Sequence, residues 1–193
     1  MAKAKSIGPL NAQLPTGINA RLIAKTRLEE MYRWEIYIDH PYRVGELHDL
    51  RIAAKRLRYT LEIFQEWLPA TSTAMIKEVE QIQEELGALH DSDVLIALLR
   101  LCLGSHNSGT HYEKALMRAT RRKGKGRILL NPEMVAYLVD PTVSPSPEQR
   151  LGLEQLLLGS EMRREEQYHA FRQHWSQLQT RNFRQEVLEM LQT

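Results

Sequence analysis

Apolar residues recur three and four residues apart along most of the chain, which is the spacing of one face of an α-helix. No stretch alternates apolar and polar residues for long enough to predict a strand. Prolines and turn residues interrupt the pattern, so the predicted helices cover residues 17–38, 44–68 and 71–103, with one or two more in 151–193. We therefore expect an all-α fold of antiparallel helical bundles.

Residues 104–150 interrupt this periodicity. They hold four of the ten glycines and four of the eight prolines, which predicts a linker with a short helix at 112–121. Order resumes at Ser146, where the sequence Ser-Pro-Glu-Gln has the form of a capping box with proline at the first helical position. We expect one domain over the whole chain, with a first helical half at 17–103 and C-terminal helices at 151–193.

Composition narrows the class of protein. With 193 residues, 42% hydrophobic and 26% charged, the chain lies in the range of globular proteins. The single cysteine, Cys102, excludes a disulfide framework and a cysteine-based metal site, so we expect a reducing, cytoplasmic location. The N-terminus lacks the apolar run of a secretion signal, and no apolar run elsewhere is long enough for a membrane span.

The predicted helix at 44–68 carries a row of cations beside its apolar face. The apolar face consists of Leu50, Ala53, Ala54, Leu57, Leu61 and Phe64. The adjoining row, here called the basic ridge, consists of His48, Arg51, Lys55 and Arg58. Like charges at these spacings repel, and on this helix only Glu62 offsets them, so the pattern favours an anion-binding surface over a merely solvated face.

Two charged residues elsewhere are predicted to face the protein interior. On the third helix the apolar spacing turns Asp93 inward and leaves His90 at the edge; we expect an arginine from the preceding antiparallel helix to pair with Asp93, which would hold that arginine in place. Near the C-terminus Arg164 shares a seven-residue spacing with apolar residues, so either Glu161 or a bound anion should neutralise it. Gly87, in mid-helix, predicts a close approach of another group.

Two motifs together resemble one known family. The first is His48-x-x-Arg51-Ile52-x-x-Lys55-Arg56-Leu57-Arg58, and the second is Leu86-Gly87-x-x-His90-Asp91-x-Asp93-Val94-Leu95. Their order and content resemble the signature of the CHAD family, the conserved histidine α-helical domain. The resemblance covers residues 17–103 well and 151–193 loosely.

The resemblance implies two helical bundles related by pseudo-twofold symmetry, with basic residues that bind inorganic polyphosphate. Carried over to this sequence, it implies His48, Arg51, Lys55, Arg56 and Arg58 as ligands of the polyanion. We add Arg164 as a ligand, and His90 and Asp93 as supporting residues. This sequence departs from the family in two ways. His90 stands where the family often has arginine. The chain is also shorter than many members, so we expect an abbreviated second bundle.

The chemistry of the ridge agrees with such a ligand. Guanidinium groups bind phosphate oxygens through two hydrogen bonds, and a lysine adds a point charge. No aromatic residues are interleaved with the ridge to stack bases, so nucleic acid is an unlikely ligand. The densest basic cluster, residues 118–127, is expected to be a solvated loop; its alternative is an arm that captures long anions.

Two other functions remain open. His48-Asp49 and His90-Asp91 could form an all-α metal-dependent phosphohydrolase site, although the cations beside His48 would repel a metal ion. Alternatively, the chain could be a helical scaffold for an acidic protein. The expected function is polyphosphate binding without catalysis, cofactor or metal ion.

Overall fold

The structure is a computed structural model that describes residues 4, 6–8, 10–104 and 145–192. The predicted short helix at 112–121 and the basic cluster at 118–127 lie outside these ranges. Every regular element within them is helical, which confirms the predicted all-α class for the part of the chain described. In the described part of the chain, no helix is both long enough and apolar enough to cross a membrane.

Three helices form the N-terminal half: α1 (Thr16–Tyr32), α2 (Val44–Ile63) and α3 (Ser72–Cys102). The first ends six residues and the second five residues earlier than predicted, and a 3-10 helix follows each of them, at Glu35–Tyr37 and Gln65–Trp67. A 3-10 helix repeats every three residues, so the apolar spacing continues although the α-helix has ended.

Two further helices lie in the described C-terminal range, residues 145–192: α4 (Pro147–Thr180) and α5 (Phe183–Met190). The predicted capping box at the start of α4 is confirmed. The backbone N–H of Gln149 donates to the Ser146 hydroxyl at 3.3 Å, and the Ser146 N–H donates to the Gln149 side chain at 2.9 Å. Asn182 separates α4 from α5 in a left-handed conformation, with φ of 58°.

The described residues belong to two compact units. The first contains Met1–Ala88 and Gln167–Thr193, and the second contains Leu89–Glu166. These boundaries fall inside α3 and α4, whereas the divisions predicted from the sequence are at 103 and 151. Because α3 and α4 each continue from one unit into the other, loop composition does not reveal the boundaries.

In the first unit, α1 and α2 pack through their apolar faces. The buried residues are Ala20, Ala24, Leu28 and Met31 of α1, together with Leu47, Leu50, Ala53, Ala54, Leu57 and Leu61 of α2. Each buried leucine contributes roughly 1.5–3 kcal/mol relative to an exposed one. The predicted apolar face of α2 is therefore confirmed, except that Phe64 lies half-buried just beyond the helix end.

Candidate anion-binding ridge

Helix α2 places the basic ridge directly beside its buried apolar face. His48, Arg51, Lys55 and Arg58 are all half-buried. Their side chains are therefore partly desolvated, and a charge in such a position interacts more strongly with a nearby anion than a charge in bulk water does. The contacts of the ridge residues differ from one to the next.

Arg51 lies against the backbone of α3 at Gly87. A Cβ atom added to Gly87 would be 3.4 Å from the Arg51 Nε atom and 3.8 Å from Nη2. Nε is buried and has no hydrogen-bond partner within the described ranges. The predicted close approach at Gly87 is confirmed, and the approaching group is a guanidinium rather than an apolar side chain.

Lys55 follows Arg51 by one helical turn. Its Nζ atom lies 5.5 Å from the centroid of the Tyr59 ring, and the Cζ atom of Arg58 lies 5.0 Å from the same centroid. Among the residues that the structure describes, neither Arg51 nor Lys55 forms an ion pair. Within this part of the chain, the positive charge at this end of the ridge has no internal counter-charge.

Arg58, at the other end of the ridge, has two carboxylate partners. Its Nη1 atom donates to Glu80 Oε1 of α3 at 2.6 Å, and its Nε atom lies 3.6 Å from Glu62 Oε1. Burial acts to lower the pKa of Arg58, but Tyr59 and the two carboxylates outweigh it, so the pKa is raised. Glu62 is the only offset that the sequence predicts; Glu80 is an additional one.

Arg56 points away from the ridge toward α1. Its Nη1 atom lies 2.5 Å from Glu30 Oε1, and Arg27 donates to the other oxygen of Glu30 at 2.7 Å. Glu30 is only 2% exposed, so two arginines neutralise a buried carboxylate. The sequence analysis missed Glu30, although its place beside the apolar residues of α1 is the same signal that identified Asp93.

In the second unit, Arg164 pairs with Asp93. Arg164 Nε donates to Asp93 Oδ1 at 2.8 Å, and both side chains are at least nine-tenths buried. The inward orientation of both residues is confirmed. Burial nevertheless raises the pKa of Asp93, because desolvation outweighs the attraction of Arg164.

Two predicted pairings in this unit are corrected. The arginine that pairs with Asp93 comes from α4, not from the helix preceding α3. Glu161, one of the two alternatives expected to neutralise Arg164, instead accepts a hydrogen bond from Arg100 at 2.8 Å. Both errors have one cause: residues 71 and 61 positions apart meet, which the spacing within one helix cannot show. His90 is half-buried on α3, and its role stays a prediction.

A second polar surface lies on α4 within the first unit. It is an open groove of about 820 Å³ lined by His169, Arg172, Gln173, Ser176, Gln177, Thr180 and Arg181. Arg172 pairs with Asp39, and Arg181 pairs with Glu78 and Glu186. Both of its arginines thus have internal carboxylate partners, unlike Arg51.

The described residues include no group of three or more His, Cys, Asp or Glu side chains that could hold a metal ion. His48 and Asp49 are adjacent on α2 in the first unit, whereas His90 and Asp91 belong to the second unit. Cys102 is a free, buried thiol, and burial raises its pKa.

Comparison with known proteins gives a family match for the first half of the chain. No match was found among the curated proteins or among the solved structures. Residues 10–100 match the model of a family described as CHAD domain. This segment contains α1, α2 and most of α3, including the ridge and Gly87, and the match supports the assignment of the chain to the CHAD domain family.

Proposed function

We propose that the basic ridge binds inorganic polyphosphate. The observation that supports this most directly is Arg51, whose partly buried guanidinium lies against Gly87 with no carboxylate partner in the described residues. A buried cation without a counter-charge is costly, and a bound anion would offset that cost. Lys55, one turn away, adds a second charge without an ion pair in the same ranges. CHAD domains bind polyphosphate in general.

The proposed ligand set is narrower than the one implied by the sequence. Arg51 and Lys55 supply the principal charges, and His48 and Arg58 flank them on the same face of α2. Arg56 and Arg164 are already engaged by Glu30 and Asp93, and we assign them to internal ion pairs. Phosphate oxygens would replace water around the ridge, with Arg51 donating through its Nη groups, since its Nε is buried against Gly87.

Binding rather than catalysis is part of this proposal. The ridge supplies cations but no paired general acid and base, and a phosphohydrolase would need carboxylates around a metal ion. We place the protein in the cytoplasm because its only cysteine is a free thiol, as is usual in a reducing compartment.

The experiment is a comparison of Arg51→Ala with Arg33→Ala. Arg33 is an exposed arginine at the end of α1 that forms no ion pair in the described part of the chain, so its removal changes net charge equally. Affinity for a long polyphosphate would be measured by titration calorimetry at several salt concentrations. By analogy with nucleic acids, each lost phosphate contact should reduce the slope of log affinity against log salt by about 0.7–0.9.

We expect Arg51→Ala to weaken binding about tenfold, equivalent to about 1.4 kcal/mol, and to reduce the salt slope by about one contact. Arg33→Ala should change both quantities little. Equal effects of the two variants, with both folded by circular dichroism, would mean that the anion binds elsewhere. An acidic protein is the competing ligand class; it would be favoured if an acidic peptide bound the ridge and polyphosphate failed to displace it.

A further inference from the structure

The two arginines of the basic ridge face different residues of α3. Arg51 faces Gly87, which carries no side chain, whereas Arg58 binds Glu80 at 2.6 Å. Arg51 and Arg58 are seven residues apart on α2, and so are Glu80 and Gly87 on α3; seven residues correspond to about 10 Å along a helix. Within the described residues, Arg51 therefore has no internal carboxylate partner, whereas Arg58 has one in Glu80.

We propose that Glu80 is an internal competitor for the phosphate chain and makes the ridge selective by ligand length. This inference rests on the proposed function and concerns regulation of the same site. A short phosphate occupies the Arg51 end and leaves the Arg58–Glu80 pair intact. A chain that extends two helical turns along α2 must displace the Glu80 carboxylate from Arg58 before it gains that contact.

The exposure of the pair suits such a displacement. The Arg58 side chain is 16% exposed, so its charge is partly desolvated and its partner matters. The Glu80 side chain is 42% exposed, so its carboxylate can move into water at little cost. Glu62 lies 3.6 Å from Arg58 Nε, a longer and weaker contact than that of Glu80.

The test compares Glu80→Gln with Glu84→Gln. Both variants remove one negative charge from α3, but Glu84 is exposed and forms no ion pair within the described ranges. The ligands are pyrophosphate, which is shorter than the separation between the two ends of the ridge, and a polyphosphate of several tens of units. Pyrophosphate binding would be followed by amide chemical shifts in NMR titrations, and long-chain binding by calorimetry.

We expect Glu80→Gln to raise affinity for the long chain about three- to tenfold and to leave affinity for pyrophosphate nearly unchanged. Glu84→Gln should raise both affinities slightly and equally, because it acts only through the overall field. In an Arg58→Ala background, the Glu80→Gln gain should shrink to that of Glu84→Gln, because the competed group is gone.

Three results would overturn the inference: no gain for the long chain, an equal gain for pyrophosphate, or a full gain that persists without Arg58. The proposed function would survive each of them as long as Arg51→Ala still weakened binding. If Arg51→Ala had no effect while Glu80→Gln increased long-chain affinity, the site would lie at Arg58 and the proposed function would need revision. Circular dichroism of every variant would show that each is folded.

Discussion

Arg51 in the first unit and Arg164 in the second unit have similar places in the apolar patterns of their helices. Each lies on a helix next to an apolar face, and the sequence predicts an anionic partner for each. In the structure Arg164 is 8% exposed and donates to Asp93 at 2.8 Å. Arg51 is half-buried, and its Nε atom has no hydrogen-bond partner in the described residues.

The difference lies in the residue that each arginine faces on α3. Asp93 faces Arg164 and pairs with it, so this arginine is engaged within its own unit. Gly87 faces Arg51 and supplies room but no charge. Whether such an arginine forms an internal ion pair or keeps its charge for a ligand thus depends on the residue that faces it on the neighbouring helix. The sequence of its own helix does not specify that residue.

The largest effect should distinguish these two arginines by stability. We expect Arg164→Met to lower the free energy of unfolding by about 3 kcal/mol, because it leaves the Asp93 carboxyl buried without its partner. Arg51→Met should change it by less than about 1 kcal/mol, since no partner is left behind. Urea unfolding at neutral pH measures both values.

The double variant Asp93→Leu/Arg164→Met serves as the control for Arg164→Met. Replacing both partners by apolar side chains should recover most of the lost stability. If Arg51→Met proved as destabilising as Arg164→Met, the contrast between the two arginines would be wrong.

Lys55 and Arg56 are neighbours that should have opposite effects on stability and binding. Arg56→Gln leaves buried Glu30 with Arg27 as its remaining partner in the described ranges, so we expect a loss of about 2 kcal/mol in stability and an unchanged salt slope for polyphosphate. Lys55→Gln should weaken binding about fivefold, or about 1 kcal/mol, with little loss of stability. A reduced salt slope in Arg56→Gln would return Arg56 to the ligand set.

Substitutions of Gly87 test whether the absence of a side chain at this position makes room for Arg51. Gly87→Ala should keep affinity within about threefold, since the new Cβ would meet Nε at 3.4 Å, and helix propensity should add up to about 1 kcal/mol of stability. Gly87→Leu should displace the guanidinium and weaken binding as much as Arg51→Ala does.

Combining Gly87→Leu with Arg51→Ala provides the check, because two changes that act on one contact are not additive. We expect the double variant to bind polyphosphate no more weakly than either single variant. Additive losses in calorimetry would show that Gly87 acts on binding through something other than Arg51.

The features predicted from the sequence are those that a single helix determines. The spacing within α2 predicts both its buried face and the ridge, and local side-chain chemistry predicts the cap at Ser146. Asp93 and Arg164 are recognisable as inward-facing because a charge at a core position stands out from its apolar neighbours.

The partners of these charges could not be predicted because they depend on the register between helices. Arg58 meets Glu80 across 22 positions, and Arg56 meets Glu30 across 26. A shift of one residue between two packed helices would give each charged side chain a different neighbour. No spacing within either helix determines that shift. The same limitation hid the unit boundaries inside α3 and α4.

The smallest effect concerns Asp93 and pH. Its pKa in the folded protein is raised by burial despite Arg164, so the folded state binds the proton more tightly than the unfolded state does. The resulting contribution to stability is fully present below the unfolded pKa of about 3.9 and is lost as pH rises through the folded pKa. Asp93→Asn cannot ionise and lacks this dependence.

The stability of the wild type minus that of Asp93→Asn should therefore decrease as pH is raised from about 3 to 7, measured by urea unfolding at each pH. The Asn side chain retains an oxygen that can accept from Arg164, so the variant keeps the hydrogen bond without the buried negative charge. A difference that increased with pH would mean that the attraction of Arg164 exceeds the cost of burying the carboxylate. The charged pair would then stabilise the second unit, and the difference between Arg164 and Arg51 would be larger than the cost of desolvating Asp93 implies.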